Sequence, residues 1–287
     1  MIIDYCMTAP INEWMSLREA QMSIPNSYLR GYIGTYSNVE GFFKLTTDDL
    51  ILGMKKARVD KAVLQAEWLI GDYRKQNDAV YRLVQAHPDK FVAGYLTLNP
   101  LEDDDMVKVV EREVKERGFK GVNIVNFSCR LRANDKRFYP IYAKCTELNI
   151  PVVIQTSINF TVNRTMDYNR PIYLDEVACD FPDLIIIASH GGWPWVTEMV
   201  AIAWKHPNVY IDTSAISPKY IGTPGTGWEP LMVYGNSILQ DRVLFATESM
   251  LPQKRCIDEI QALPLKERVK EKWLGENAAR LLGFIRE

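Results

Sequence analysis

The feature that most constrains the fold of this chain is a regular alternation between short apolar runs and amphipathic stretches. Such an alternation is typical of a parallel sheet built from strand–helix–strand units. Eight runs have the composition of strands: Ile2–Cys6, Lys61–Ala66, Phe91–Leu98, Gly121–Asn126, Val152–Thr156, Leu184–Ser189, Val209–Asp212 and Val243–Thr247. Eight such units in 287 residues predict one (β/α)8 TIM barrel, a fold that needs about 250 residues.

Three stretches between the runs place apolar residues at a helical period, with charged residues on the opposite side. They are Asp103–Arg117, Pro140–Leu148 and Val196–Lys205. The chain contains no internal repeat, low-complexity tract or linker. Residues 1–287 are therefore predicted to form a single barrel domain.

Three connections are longer than a barrel loop requires. They are Ala9–Leu45, Ser157–Arg170 and Ser217–Asn236. Each follows a predicted strand, so all three are expected at the C-terminal face of the barrel. Active sites of barrel enzymes are built on that face.

The composition is that of an ordinary globular protein, with 47% hydrophobic and 24% charged residues. The formal net charge of -2 gives no reason to expect nucleic acid or an anionic membrane as a partner. No apolar run approaches the roughly 20 residues that cross a bilayer, and the N-terminus lacks the pattern of a signal peptide. The five cysteines form no CxxC pair, which is typical of reduced thiols, so a cytoplasmic protein is expected.

The segment DLIIIASHGGWPWVTEMVAIAWKHPNVYIDTS, at residues 183–214, resembles the amidohydrolase-related family of the amidohydrolase superfamily. The shared features are a strand ending in His190, a Gly-Gly step, a helix and a strand reading NVYIDTS. IID near the N-terminus, DRVLFATES at residues 241–249 and GENAARLLG near the C-terminus agree as well. The resemblance runs the length of the chain and implies an amidohydrolase-like barrel. The family includes aminocarboxymuconate-semialdehyde and resorcylate decarboxylases and metal-independent lactonases.

The resemblance also implies a metal site, from which this chain departs. The family has a His-x-His pair after the first strand, where this chain has Cys6 and Thr8. Gln155 stands at the family's histidine after strand five, and Glu248 at its aspartate after strand eight; His190 alone is unchanged. A catalytic zinc ion needs about three ligands from His, Asp, Glu or Cys. We therefore predict no bound metal; the alternative is one divalent ion, such as zinc, near Cys6, His190 and Glu248.

His190 and Glu248 are the predicted catalytic residues. Gly191 and Gly192 after His190 let the chain turn closely around a ligand; the alternative is a core histidine bonded to the backbone. Glu248 follows an apolar strand, where burial would raise the pKa of a carboxyl and suit a general base or acid. The alternative for Glu248 is an ion pair with an arginine. The two residues are expected to converge, because alternate strands send side chains into the same layer.

Eight further residues at strand ends or in the following loops are predicted to bind substrate: Cys6, Thr8, Asn123, Arg130, Gln155, Arg164, Trp193 and Asp212. Cys6 is alternatively a nucleophile activated by His190, or a small buried hydrophobe. At least one of Arg130, Arg132 and Arg164 is expected to clamp a substrate carboxylate. A solvated surface arginine is the alternative for each, and Trp193 alternatively packs between helix and barrel.

Three hypotheses for function remain open. The first is a metal-independent hydrolase of a small, carboxylated lactone or ester, with Glu248 as the general base. The second is a decarboxylase with a remodelled metal site, since decarboxylation without the metal loses electrostatic stabilisation. The third is a non-catalytic barrel that binds a small molecule. Barrels of this kind often pair through exposed loops, so a homo-oligomer is compatible with the sequence.

Overall fold

The computed structural model describes residues 1–24, 26, 39–69, 71–102 and 105–285. Its strands are β1 (Ile3–Met7), β2 (Lys61–Gln65), β3 (Phe91–Thr97), β4 (Gly121–Ile124), β5 (Val152–Gln155), β6 (Ile186–Ser189), β7 (Val209–Asp212) and β8 (Val243–Leu244). They form one parallel sheet whose strand order is the order of the sequence. The prediction of a (β/α)8 TIM barrel is confirmed.

Helices lie between the strands and follow the last one. They are α1 (Leu17–Ser23), α2 (Val39–Lys44), α3 (Thr47–Ala57), α4 (Tyr73–Ala86), α5 (Met106–Arg117), α6 (Asn126–Cys129), α7 (Tyr139–Glu147), α8 (Tyr173–Asp180), α9 (Val196–Lys205), α10 (Pro218–Ile221), α11 (Glu229–Gly235), α12 (Gln253–Ala262), α13 (Glu267–Glu271) and α14 (Asn277–Leu281). Single 3-10 turns occupy Ile11–Glu13, Met166–Asn169 and His190–Gly192, and a π-helical turn occupies Lys272–Glu276.

The three predicted helices correspond to α5, α7 and α9, with shifted ends in the first two. The predicted start at Asp103 lies outside the described residues. Asp105 caps α5 by accepting a hydrogen bond from the backbone N–H of Lys108. The long connection Ala9–Leu45 also includes residues that lie outside the described ranges. None of the helices in the described residues is long and apolar enough to cross a bilayer.

The barrel closes between β1 and the segment that follows β8. The backbone N–H of Tyr5 donates to the carbonyl oxygen of Phe245 at 2.9 Å. The backbone N–H of Glu248 donates to the carbonyl oxygen of Cys6 at 2.7 Å. This pairing explains why β8 ends at Leu244, although the sequence predicts a strand to Thr247. Beyond Leu244 the register with β7 ends, and the chain bonds to β1 instead.

The barrel interior is filled by side chains below its C-terminal mouth. Tyr5 and Tyr95 meet there, with their hydroxyl oxygens 2.6 Å apart. The ring of Tyr95 lies where a Cβ at Gly121 would be, 2.8 Å from its nearest atoms, so only glycine fits at that position. Because this layer is packed, a ligand site has to lie above it, at the ends of the strands.

Asp4 joins the two strands at the closure. Its carboxylate is fully buried and accepts hydrogen bonds from the backbone N–H groups of Thr247 and Cys6, at 3.0 and 3.3 Å. It also accepts bonds from the Thr247 hydroxyl and, at 2.8 Å, from the side-chain amide of Gln253. Burial raises the pKa of Asp4 to about 6, against the lowering effect of these four donors. The carboxylate therefore connects β1, the segment after β8 and α12.

Replacement of Asp4 by Asn is expected to lower the free energy of unfolding by about 2–4 kcal/mol, because buried donors would then face an amide NH2. Urea unfolding measures this loss. Asp60→Asn is the matched control: Asp60 also accepts a backbone bond from the β1 end, from Ile2 at 2.8 Å, but it is exposed. Its loss should stay below about 1 kcal/mol. Equal losses in both variants would contradict the role given to Asp4.

Candidate active site

Two cavities open at the C-terminal mouth of the barrel. The first has a volume of about 290 Å³, and Thr8 and Arg164 are among its lining residues. The second has a volume of about 370 Å³, and Gln155, His190 and Trp193 are among its lining residues. Glu67 and Glu248 line both cavities. These two carboxyls therefore stand where the cavities meet.

Glu67 and Glu248 form a buried pair joined by a side-chain hydrogen bond. Glu67 follows β2 and Glu248 follows β8, and their exposed fractions are 8% and 4%. Burial raises the pKa of Glu67 well above its usual range, and the neighbouring Glu248 raises it further, while His190 opposes the shift. Two carboxyls this close cannot both ionise readily, so the pair retains one proton at a pH where an isolated carboxyl has lost its own.

The backbone around Glu248 is held by the end of β1. Glu248 has a left-handed conformation with φ of 58°. The hydroxyl of Thr8 donates to the Glu248 carbonyl oxygen at 3.1 Å, and the backbone N–H of Thr8 donates to the Ser249 hydroxyl at 3.0 Å. Thr8 therefore positions the chain that carries the carboxyl.

His190 lies directly after β6, and both of its ring nitrogens are engaged. Nδ1 is 3.1 Å from the carbonyl oxygen of Ser214 and 2.8 Å from its hydroxyl oxygen. Nε2 is within hydrogen-bond distance of Oε1 of Gln155. Because a carbonyl oxygen can only accept, the contact with Ser214 places a proton on Nδ1.

Asp212, at the end of β7, accepts hydrogen bonds from the residues around His190. It is fully buried, and its Oδ1 accepts bonds from the backbone N–H groups of His190 and Ser214, at 3.1 and 2.9 Å. The same oxygen accepts the Ser214 hydroxyl, and Oδ2 accepts the Ser189 hydroxyl at 3.1 Å. His190 has a φ of 64°, a conformation that costs energy for a residue with a side chain. The bond to Asp212 helps to hold His190 in it.

The residues at the family's metal positions do not fit a zinc centre. Burial, with four nearby carboxyls, raises the pKa of the Cys6 thiol well above its usual range, which disfavours the thiolate that binds metals. The ring of His190 is engaged on both sides, and Gln155 offers only a neutral amide. Among the described residues, Cys6, His190 and Glu248 do not bring their ligand atoms within 4.8 Å of one another.

A different group, Asp175, Cys179 and His206, does bring its ligand atoms within 4.8 Å of one another. It lies on the outside of the barrel, on α8 and just after α9. The ammonium group of Lys205 is 2.7 Å from Oδ1 of Asp175 and 3.9 Å from the thiol of Cys179. A cation of the protein already lies among these ligand atoms, so the group is best described as an ion-pair network.

The structure brings most, but not all, of the predicted site residues to the mouth. His190, Glu248, Thr8, Gln155, Arg164 and Trp193 line one or both cavities. Cys6, Asn123 and Asp212 are buried behind them, and Arg130 is exposed and lines neither cavity. The amide of Asn123 has no hydrogen-bond partner among the described residues. Arg132 is exposed and paired with Asp167 at 2.6 Å, so Arg164 is the arginine that reaches the site.

Glu67 and Ser214 belong to this arrangement but were not among the predicted catalytic or substrate-binding residues. Both fall just after a predicted strand, on the face where the site lies, and that position was the available signal. The partner of Glu67 could not be identified from this signal, because Glu248 lies at the far end of the chain.

Comparison with known proteins places the chain in a family. The family model described as "Amidohydrolase" matches residues 47–284. The chain belongs to the amidohydrolase family. Among curated proteins, the chain is 31% identical over 137 residues to 2-keto-4-carboxy-3-hexenedioate hydratase of Sphingobium sp.. That match covers 40% of the chain and only 39% of the hydratase.

Solved structures resemble the chain over nearly its whole length. An uncharacterised TIM-barrel protein of Bordetella bronchiseptica is 27% identical, with a TM-score of 0.77 and 98% of each chain covered. The 5-carboxyvanillate decarboxylase of Sphingomonas paucimobilis is 17% identical, with a TM-score of 0.70 and the same coverage. At that identity, the likeness to the decarboxylase shows the shared fold alone.

The contacts of His190 predict that Nδ1 carries a proton in the native protein. A long-range 15N–1H NMR spectrum reports which imidazole nitrogen is protonated. The chain has three histidines, so the spectrum is simple, and a His190→Gln variant identifies the signals of His190. A spectrum in which only Nε2 of His190 is protonated would contradict the arrangement with Ser214.

Proposed function

We propose that this protein hydrolyses a small, carboxylated lactone or ester without a bound metal ion. The observation that carries the proposal is the hydrogen-bonded Glu67–Glu248 pair at the meeting point of the two cavities. Hydrolysis needs a base that takes a proton from water and an acid that protonates the leaving oxygen. A carboxylate beside a carboxylic acid supplies both groups.

In this mechanism Glu248 is the base and Glu67 is the acid. Glu248 removes a proton from a water molecule as the water oxygen bonds to the carbonyl carbon. Glu67 then gives its proton to the alkoxide oxygen as the bond between that oxygen and the carbonyl carbon breaks. The pair holds one proton before and after the reaction, so a transfer across its hydrogen bond restores the starting state.

In this proposal Gln155 polarises the carbonyl group of the substrate. Its amide lines the second cavity and contacts Nε2 of His190. The oxygen and nitrogen of an amide can exchange places without a change of shape. In either orientation, the amide keeps an N–H that His190 does not use. A donor directed at the oxygen on which negative charge develops stabilises the transition state. The role of His190 in this mechanism is therefore to hold the side-chain amide of Gln155 in position.

The same groups support a second candidate, the addition of water to a carbon–carbon double bond. The curated relative that is 31% identical is a hydratase. Hydration also needs one group that takes a proton from water and one that gives a proton to the substrate. Product analysis on a panel of lactones, esters and unsaturated carboxylates separates the two reactions. Thermal stabilisation by these compounds without turnover would support a binding protein instead.

Replacement of Glu248 by Gln is expected to lower kcat by about 10²–10⁴-fold with little change in KM, because the amide keeps the shape but not the basicity. Replacement of Glu67 by Gln should lower kcat as well and should also change the pH profile. Since the pKa of Glu67 is raised, wild-type activity should fall as the pH rises through that pKa and the acid loses its proton. This fall should be absent in Glu67→Gln.

The measurement is kcat/KM against pH for the wild type and both variants. Asp60→Asn, at an exposed position outside the mouth, serves as the control and should keep the wild-type profile. A Glu248→Gln variant with wild-type kcat would contradict the role of the pair.

Removal of metal ions is expected to leave the hydrolytic rate unchanged. Protein purified without chelator and without a histidine tag should contain far less than one zinc or manganese ion per chain. The physical reason is the poor ligand set at Cys6, Gln155 and His190. Elemental analysis and a rate measurement after dialysis against a chelator provide the check. Near-stoichiometric metal and a rate lost on dialysis would favour the decarboxylase with a remodelled metal site.

A further inference from the structure

We infer that the substrate has two arms flanking its reacting bond, one apolar and planar and the other ending in a carboxylate. The inference rests on the proposed function, because it places the reacting bond at the Glu67–Glu248 pair. Both cavities have this pair in their walls, together with Leu69 and Phe127. A bond that reacts at the pair therefore has space on both sides. A substrate with a single arm would fill only one of the two cavities.

The second cavity suits the apolar, planar arm. Trp193, Trp228 and Phe160 line it, and none of its described lining residues is lysine or arginine. Trp193 is fixed by a hydrogen bond from its Nε1 to the carbonyl oxygen of Thr226 at 3.0 Å. A Cβ at Gly191 would lie 2.5 Å from the ring of Trp228, so glycine allows that ring to pack against the turn after β6. Flat, rigid walls of this kind favour an aromatic group.

The first cavity suits the carboxylate arm because of Arg164. Among the described residues that line either cavity, Arg164 is the one lysine or arginine. Its Nη1 bonds to the backbone and side-chain oxygens of Asn163, but its buried Nε has no partner among the described residues. A buried donor without an acceptor is costly, and a carboxylate would supply the missing acceptor.

Nearby arginines differ from Arg164 in this respect. Arg132 pairs with Asp167 at 2.6 Å, and Arg170 pairs with Glu198 at 3.0 Å. No carboxylate among the described residues lies within ion-pair distance of Arg164. The negative charge of the Glu67–Glu248 pair also repels a substrate carboxylate. The carboxylate is therefore expected at Arg164, at a distance from the pair, rather than beside the reacting bond.

Three esters test the inference on the full-length protein. The mono-phenyl ester of glutaric acid has both arms, and phenyl pentanoate lacks only the carboxylate. The mono-hexafluoroisopropyl ester of glutaric acid keeps the carboxylate and replaces the planar ring with a non-planar group whose alcohol is about as acidic as phenol. We expect kcat/KM for the two-armed ester to exceed that of phenyl pentanoate by about tenfold or more, the effect of one charged hydrogen-bonded contact. It should exceed that of the fluorinated ester by about threefold or more, the effect of one aromatic contact. In Arg164→Gln the preference over phenyl pentanoate should largely disappear. Arg132→Gln, the matched control, should keep it.

The outcomes separate this inference from the proposed function. Hydrolysis without preference for the two-armed ester would overturn the inference and leave the proposed function standing. A preference that persists in Arg164→Gln would overturn the assignment of the carboxylate to Arg164.

If none of the esters is hydrolysed, the proposed function fails, and binding still tests the two-armed ligand. The mono-anilide of glutaric acid should then raise the Tm more than pentananilide does, in the wild type but not in Arg164→Gln. Equal shifts for the two anilides in the wild type would overturn the inference.

Discussion

The closure of the barrel is the constraint on which the site depends. The strands β1 and β8 come from opposite ends of the chain, and backbone bonds from Tyr5 and Glu248 join them. Asp4 stabilises this contact from within, because it accepts backbone bonds from Cys6 on β1 and from Thr247 after β8. Because Glu248 itself takes part in the closure, its carboxyl reaches Glu67 only in the closed barrel. The carboxyl pair therefore depends on the same contacts that close the barrel.

The fold could be predicted from the sequence because each strand carries its own local signal. An apolar run such as residues 184–189 reflects burial of that strand on both faces, whatever the rest of the chain does. The error at the end of β8 arose because Thr247 continues the apolar run, whereas the strand partner changes after Leu244. The local composition of a segment does not show which strand it pairs with.

The site could be predicted only in part, for a related reason. His190 and Glu248 were found because they stand at strand ends, and the structure places both at one mouth. The choice among the arginines was not available from the sequence, since Arg130 and Arg164 both follow strands on the same face. The short helix α6 ends at Cys129, and Arg130 caps it in a left-handed conformation outside the site. Such a turn depends on packing that the sequence pattern does not reveal.

The left-handed backbone at the mouth has a consequence for how this protein tolerates change. Four residues there, His190, Ala215, Glu248 and Ser249, have φ values of 64°, 61°, 58° and 56°. For residues with a side chain this conformation costs about 1 kcal/mol or more each, and glycine avoids the cost. Glycine at position 248 would relieve that strain and remove the carboxyl. Selection for thermal stability alone would thus act against the carboxyl, so the mouth is a region where stability and chemistry oppose each other.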